Sequence, residues 1–175
     1  EADRCPMVWE LMSHCGVVTH FLPEGTNLQA LALIVKLEAE YNSGAFSLRR
    51  LAAVLDVTPS GLKHVAESLK LSNDQSAQLL KMIDPGVPES GVMDEAEVKK
   101  LVYRFGSDMV RSLLLLAAAK SGNAGNLPGL YQLATTFRPP RFPLQGDDVL
   151  KLGYAPGPEV GRILAIIEDW WITKD

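Results

Sequence analysis

The chain has 175 residues, 47% hydrophobic content and a formal net charge of −4. That is enough apolar material for one sizeable core or two small helical modules. No apolar run approaches the roughly 20 residues needed to span a bilayer. Glu1-Ala2-Asp3-Arg4 leads into no long apolar region, so nothing at the start reads as a signal peptide. There is no initiator Met, which fits a piece of something longer. Cys5 and Cys15 are the only cysteines and show no pairing pattern, so a reduced, cytoplasmic setting is expected.

Pro6 opens a first helix through His14, with Met7, Val8, Leu11 and Met12 as its apolar face and Gly16 as its stop. Val17 to Pro23 reads as a short apolar connector. Asn27 begins a second helix, in which Leu28, Leu31, Ala32 and Val35 recur at helical spacing. Tyr41-Asn42-Ser43-Gly44 ends it. Ser47 caps a third helix through Leu55, and Thr58-Pro59 opens a fourth through about Leu69. Ser72, with Gln75 three residues later, is the signature of a capping box for a fifth, reaching Ile83.

Asp84 to Gly91, DPGVPESG, reads as a linker. It also marks a change of charge. Residues 1–98 hold seven Lys/Arg against fourteen Asp/Glu, a net of −7, while residues 99–175 hold ten against seven, a net of +3. The expected organisation is therefore a body module over 1–84, a linker over 85–91 and a second module over 92–175. Asp94 caps a sixth helix ending near Gly106. Ser107 starts a seventh, with Val110, Leu113, Leu114 and Ala117 facing a core. Ser121 to Asn126 is a loop, and Leu127 to Phe137 an eighth helix. Residues 138–144, RPPRFPL, are held extended by their prolines.

Gln145 to Asp169 is the stretch around which the chain looks organised. Asp147 or Asp148 caps a short helix through Leu152, Gly153 ends it, and Pro156-Gly157-Pro158 turns the chain into a long helix. Val160, Ile163, Leu164 and Ile167 predict one buried face, and Gly161 predicts a close approach by a helix or a phosphate. Free amides at the start of that helix can hold a phosphate. No alternating strand pattern occurs, so the expected class is all-α, multi-helical and without a sheet.

Motifs for chemistry are sparse. There is no P-loop, no Gly-x-Gly-x-x-Gly and no catalytic dyad. Cys5, His14, Cys15 and His20 match no zinc spacing. Asp147-Asp148 reads as a helix-start pair rather than a Mg²⁺ site. Residues 48–71, LRRLAAVLDVTPSGLKHVAESLKL, have helix-turn-helix-like spacing, with Lys63 and His64 on the second helix. Asp56 stands where the turn wants glycine, and the surrounding module is acidic. Two packed helices with a tight corner is the favoured reading over a DNA reader. The second half is better suited to a polyanion. Lys99, Lys100, Arg104, Arg111 and Lys120 lie on consecutive helices, and Arg138, Arg141, Lys151 and Arg162 are expected to surround the Pro-Gly-Pro turn. Basic side chains combined with helix amides hold folded RNA by its backbone.

Residues 141–171, RFPLQGDDVLKLGYAPGPEVGRILAIIEDWW, closely resemble the C-terminal signature of bacterial tRNA nucleotidyltransferases. These are the CCA-adding enzymes of the class that includes bacterial poly(A) polymerases. The shared features are Leu144, Gly146, Asp148-Val149, Leu152-Gly153, Pro156-Gly157-Pro158 and Val160-Gly161-Arg162-Ile163-Leu164. Residues 8–24, 68–83 and 101–122 are similar more loosely, in family order. The resemblance implies an RNA-binding body and tail that positions the acceptor arm and elbow of tRNA. Its RNA contacts would be Arg138, Arg141, Lys151, Arg162 and the amides near Gly157. The metal-binding head, with Mg²⁺ and CTP or ATP, and the nucleotide-selecting neck have no counterpart here. No catalytic residue and no cofactor is therefore assigned to this chain, and neck-facing apolar surface near Met7 and Val8 would favour a homodimer of the piece. A poly(A) polymerase of the same architecture is the nearest alternative, and a helix-turn-helix DNA-binding regulator is the alternative from another class.

Overall fold

Leu113 to Leu116 is a run of four leucines followed by three alanines, and it lies at the centre of the molecule. The computed structural model describes residues 4–86 and 93–174. Among them the chain forms α1 (Cys5–His14), α2 (Val17–Phe21), α3 (Leu28–Glu40), α4 (Ser47–Val54), α5 (Leu62–Ser68) and α6 (Asn73–Ile83). It continues with α7 (Glu95–Phe105), α8 (Ser107–Ser121), α9 (Leu127–Thr136), α10 (Gly146–Lys151) and α11 (Pro158–Lys174). The fold is all-α, with no strand among the described residues. None of the described helices is long and apolar enough to cross a membrane.

Local hydrogen bonding sets several of the helix starts. Asn27 Oδ1 accepts from Ala30 N at 3.0 Å, and Asp94 Oδ1 accepts from Glu97 N at 2.8 Å. Ser72 and Gln75 form the reciprocal box, Ser72 N donating to Gln75 Oε1 at 2.9 Å and Gln75 N to Ser72 Oγ at 3.2 Å. Gly106, at φ 81°, is both the end of α7 and the cap of α8. A side chain there would be strained, so glycine permits a one-residue corner.

Three boundaries differ from the sequence reading. The expected connector at 17–23 contains α2, because Val18 and Leu22 both enter the core. Ser47 lies inside α4 rather than capping it. Phe46 is the cap residue, and its N–H donates to Glu38 Oε1 of α3 at 3.4 Å. Pro59 sits in a turn closed by Gly61 N donating to Thr58 O at 3.0 Å, so α5 begins only at Leu62.

The helix-turn-helix spacing is not realised either. Residues 55–61 separate α4 from α5, where such a motif has a turn of about three or four residues. Asp56 does not adopt a positive φ, and its N–H donates to Glu24 O at 2.9 Å. On α5, Lys63 is paired with Glu67 at 3.9 Å.

Helices from both sides of residues 85–91 share one core. Leu31 and Ile34 of α3, Ala52 and Ala53 of α4 and Leu79 of α6 belong to the same buried cluster as Leu101 of α7, Leu115 of α8 and Ala134 of α9. The expected linker falls largely on residues 87–92, outside the described residues. The packing on either side of it is continuous.

Where α3, α4 and α8 meet, the core is polar. The Arg49 and Glu38 side chains are only 4% and 3% exposed. Arg49 Nε and Nη2 donate to Glu38 Oε1 at 2.9 and 2.8 Å, and Nη2 also reaches Gly44 O at 2.6 Å and Ser43 Oγ at 3.2 Å. Arg50 Nε donates to Glu38 Oε2 at 2.6 Å, and Arg49 Nη1 to Ser112 Oγ at 3.2 Å. A buried pair this well bonded contributes specificity of arrangement, and removing one partner leaves a buried charge short of its counter-ion. Arg49→Ala is expected to cost roughly 3–5 kcal/mol in urea unfolding. The Glu38→Leu/Arg49→Met double variant should lose less. A single-variant loss below about 0.5 kcal/mol, the range of a surface change, would contradict this account.

Candidate nucleic-acid interface

The C-terminal helices attach to the body through α7. That helix carries Val98, Leu101 and Val102 into the core, while Lys99 and Tyr103, one turn apart, face the C-terminal segment. The Tyr103 hydroxyl donates to Glu168 Oε1 of α11 in a short hydrogen bond. The Trp171 ring meets Tyr103 edge-on at 5.9 Å, and Phe142 meets Trp171 at 5.6 Å. At the other end of α11, a Cβ on Gly146 would lie 3.8 Å from Val160 Cγ1. The chain from Phe142 to Gly146 therefore runs antiparallel along α11 before α10 begins.

Helix α10 is held by Asp148. It accepts from Gln145 N at 3.0 Å and from Lys151 Nζ at 3.1 Å. The backbone N–H of Gln145 first, and then Lys151, lower its pKa below the usual carboxylate range. The cap residue is thus Gln145, with Asp148 three residues in, and Gly153 ends the helix at φ 94° as expected.

Arg138, Arg141, Lys151, Gly157 and Arg162 are all exposed. Arg138 Nη1 donates to Thr135 O at 3.2 Å, and Lys151 is tied to Asp148. They do not form the single ring around the turn that the sequence suggested. Arg141 adjoins Phe142, which touches Trp171, and Trp171 lies about 20 Å along α11 from Pro158 at 1.5 Å per residue. Arg141 thus marks one end of α11, with Lys151, Gly157 and Arg162 at the other. Glu159 is exposed in the first turn of α11 and opposes an anion at those amides.

Two further expectations are corrected. Nothing among the described residues lies within 4 Å of a Cβ built at Gly161, so no other helix approaches closely there. Val160, Ile163, Leu164 and Ile167 are only half-buried, because α10 and α7 cover α11 incompletely. The outer side of α11 carries Ile166 at 70% exposure.

Sequence reasoning missed the aromatic cavity. Lys99, Tyr103, Phe137, Pro140, Trp171 and Ile172 line a space of about 290 Å³. Lys99 Nζ stands 5.9 Å from the centre of the Phe137 ring. Arg138 and Arg141 adjoin Phe137 and Pro140 in the chain. Aromatic faces with a cationic rim suit a planar, unstacked base attached to a phosphate backbone. The sequence signal was the density of rings in residues 137–142 and 170–171, which only the docking of α11 on α7 brings together. Among the described residues no three of His, Cys, Asp and Glu gather as a metal-holding group.

No model of a known protein family, no curated protein and no solved structure matches the chain.

The Tyr103 pKa is pushed from the usual 10.0 to about 12, chiefly by the hydrogen bond to Glu168, then by burial and by the charge of Glu168. A pKa raised on folding contributes stability that is complete below the unfolded value near 10 and is lost as the pH rises through about 12. Titration of phenolate absorbance is expected to show a tyrosine ionising near 12 that is absent in Tyr103→Phe and shifted back toward the ordinary value in Glu168→Gln, while Tyr41, also raised by burial, is unaffected by either change. Identical titrations for wild type and Glu168→Gln would show that this bond does not hold α11.

Proposed function

We propose that this chain is the RNA-gripping part of a tRNA nucleotidyltransferase, a helical body and tail that position the tRNA acceptor arm. The observation that carries the reading is the pairing of two features in the signature segment. Arg138, just before the segment, and Arg141, its first residue, stand on a loop that lines an aromatic cavity, and Lys151, Gly157 and Arg162 lie on an open surface toward the far end of α11. Such a surface holds RNA by charge along its backbone and by stacking of unpaired bases.

The resemblance of residues 141–171 supplies the substrate class. On this reading the bond-making chemistry belongs to a head with Mg²⁺ and CTP or ATP, and the work of this chain is positioning. A misplacement of about 1 Å can cost about a hundredfold in rate. The two cationic groups, Arg141 beside the Trp171 end of α11 and Arg162 about 14 Å back along that helix at 1.5 Å per residue, would contact phosphates at separate points and so fix an orientation as well as an affinity.

Fluorescence anisotropy with labelled tRNA tests this. The binding constant is expected to fall linearly with salt on logarithmic axes, and Arg141→Ala and Arg162→Ala should each reduce the slope by about 1. The chain alone should incorporate no CTP or ATP into tRNA. Salt-independent binding, or none, would sink the RNA reading, and nucleotide incorporation by the chain alone would overturn the division of labour.

A further inference from the structure

Arg49, which donates to Glu38, forms part of the wall of a second cleft, about 620 Å³ in volume, between the loop before α4, helix α6 and the first turns of α8. Among its polar lining residues are Ser43, Arg49, Gln78, Asp108, Arg111 and Ser112. It is remote in the chain from residues 141–171 and shares no lining residue with the aromatic cavity.

Two guanidinium groups here have donors to spare. The Nε of Arg111 is buried and has no hydrogen-bond partner among the described residues. Its Nη2 is taken by Asp108 Oδ1, and its Cζ stands 5.9 Å from the centre of the Tyr131 ring. Arg49 commits Nε and Nη2 to Glu38, Ser43 and Gly44. Its Nη1, which carries two N–H groups, makes one bond among the described residues, to Ser112 Oγ. The Ser112 hydroxyl in turn donates to Asp108 O at 3.1 Å, so its proton is used. A buried charged donor without an acceptor is uncommon in folded proteins and points to a missing acceptor.

The balance of charge has the same sign. Among the residues that line the cleft, Arg49 and Arg111 stand against one carboxylate, Asp108. Glu38 is bound by both Arg49 and Arg50. Asp108 is 93% exposed, at the solvent side of Arg111. A carboxylate matches the edge of one guanidinium fork, whereas donors offered from two helices suit the several oxygens of a tetrahedral anion.

We propose that this cleft is an oxyanion site for a phosphate group, held by Arg111 Nε and the spare N–H of Arg49 Nη1. Asp108 competes with the anion for Arg111. Opposite effects follow for the two residues. Removing the Arg111 guanidinium removes a donor, while neutralising Asp108 frees Arg111 and removes a repelling charge.

The experiment is calorimetric titration of the full chain with inorganic phosphate at constant ionic strength. Wild type should bind saturably at one site. Arg111→Gln should weaken binding about tenfold, and Asp108→Asn should tighten it by roughly threefold to tenfold. Asp108 is exposed, so its variant reports on the site even if Arg111→Gln folds poorly. Absence of saturable binding in wild type, unchanged affinity in a folded Arg111→Gln, or weaker binding in Asp108→Asn would each overturn the proposal. Repeating the titration with saturating tRNA separates the sources. Suppression by tRNA assigns the site to an RNA phosphate, and unchanged binding assigns it to a free phosphate or phosphorylated small molecule. Because Arg141 and Arg162 lie elsewhere, failure of this site leaves their salt slopes untouched, and failure of the RNA reading leaves phosphate binding in place.

Discussion

From Val110 to Ala119 no side chain of α8 is exposed, and the rest of the molecule is arranged to make that possible. A helix buried around its circumference needs neighbours on every side. Here α3, α4 and α6 come from the acidic half of the chain and α7 and α9 from the basic half. Each fully buried leucine contributes about 1.5–3 kcal/mol relative to exposure, so the central leucine run outweighs any preference of the two halves to stay apart. The asymmetry of charge therefore belongs to two halves of the chain that share one core. Ser112 is the polar residue among those buried on this helix, and it is there that Arg49 reaches α8 from α4.

What the sequence made legible was what depends on near neighbours. The caps at Asn27, Ser72 and Asp94 act over three residues, and their residue types announce them. The corner at Gly106 is legible for the same reason. Periodicity was less informative. Val110, Leu113, Leu114 and Ala117 predict a one-sided helix, yet Leu115, Leu116 and Ala118 are as deeply buried, since a period marks a face only where the other side is wet. On α11 the same kind of pattern overstated burial, because spacing says which residues can share a face and nothing about how much lies over it. Ser47 was displaced by one position because the acceptor for the start of α4 is Glu38, a side chain from another helix.

The candidate sites divide along the same line. That Arg138, Arg141, Lys151 and Arg162 are exposed could be read directly, since long cationic side chains rarely bury. That they fall into two groups could not, because it depends on the antiparallel course of residues 142–146 along α11. Tyr103 and Glu168 are 65 residues apart, and no local pattern links them. Nothing local singles out Glu38 and Arg49, which are 11 residues apart: a charged pair enters a core only when each partner is supplied with hydrogen bonds.

Helix α7 connects these two levels of organisation. Val98, Leu101 and Val102 fasten one side of it to the shared core, while Lys99 and Tyr103 present the other to the C-terminal segment. Helices α10 and α11 add Val149 as a buried hydrophobic residue but no member of the central cluster. Among the described residues their attachment includes the Tyr103–Glu168 bond, the edge-on contact of Trp171 with Tyr103 and a thin apolar seam. Such an attachment leaves the core indifferent to changes on the outer surface of α11. It also makes the aromatic cavity depend directly on the docking, since Trp171 and Ile172 form one wall and α7 with Phe137 the other. A ligand held between those walls would strengthen the joint it occupies, so binding in the cavity and the orientation of the signature segment are coupled by construction.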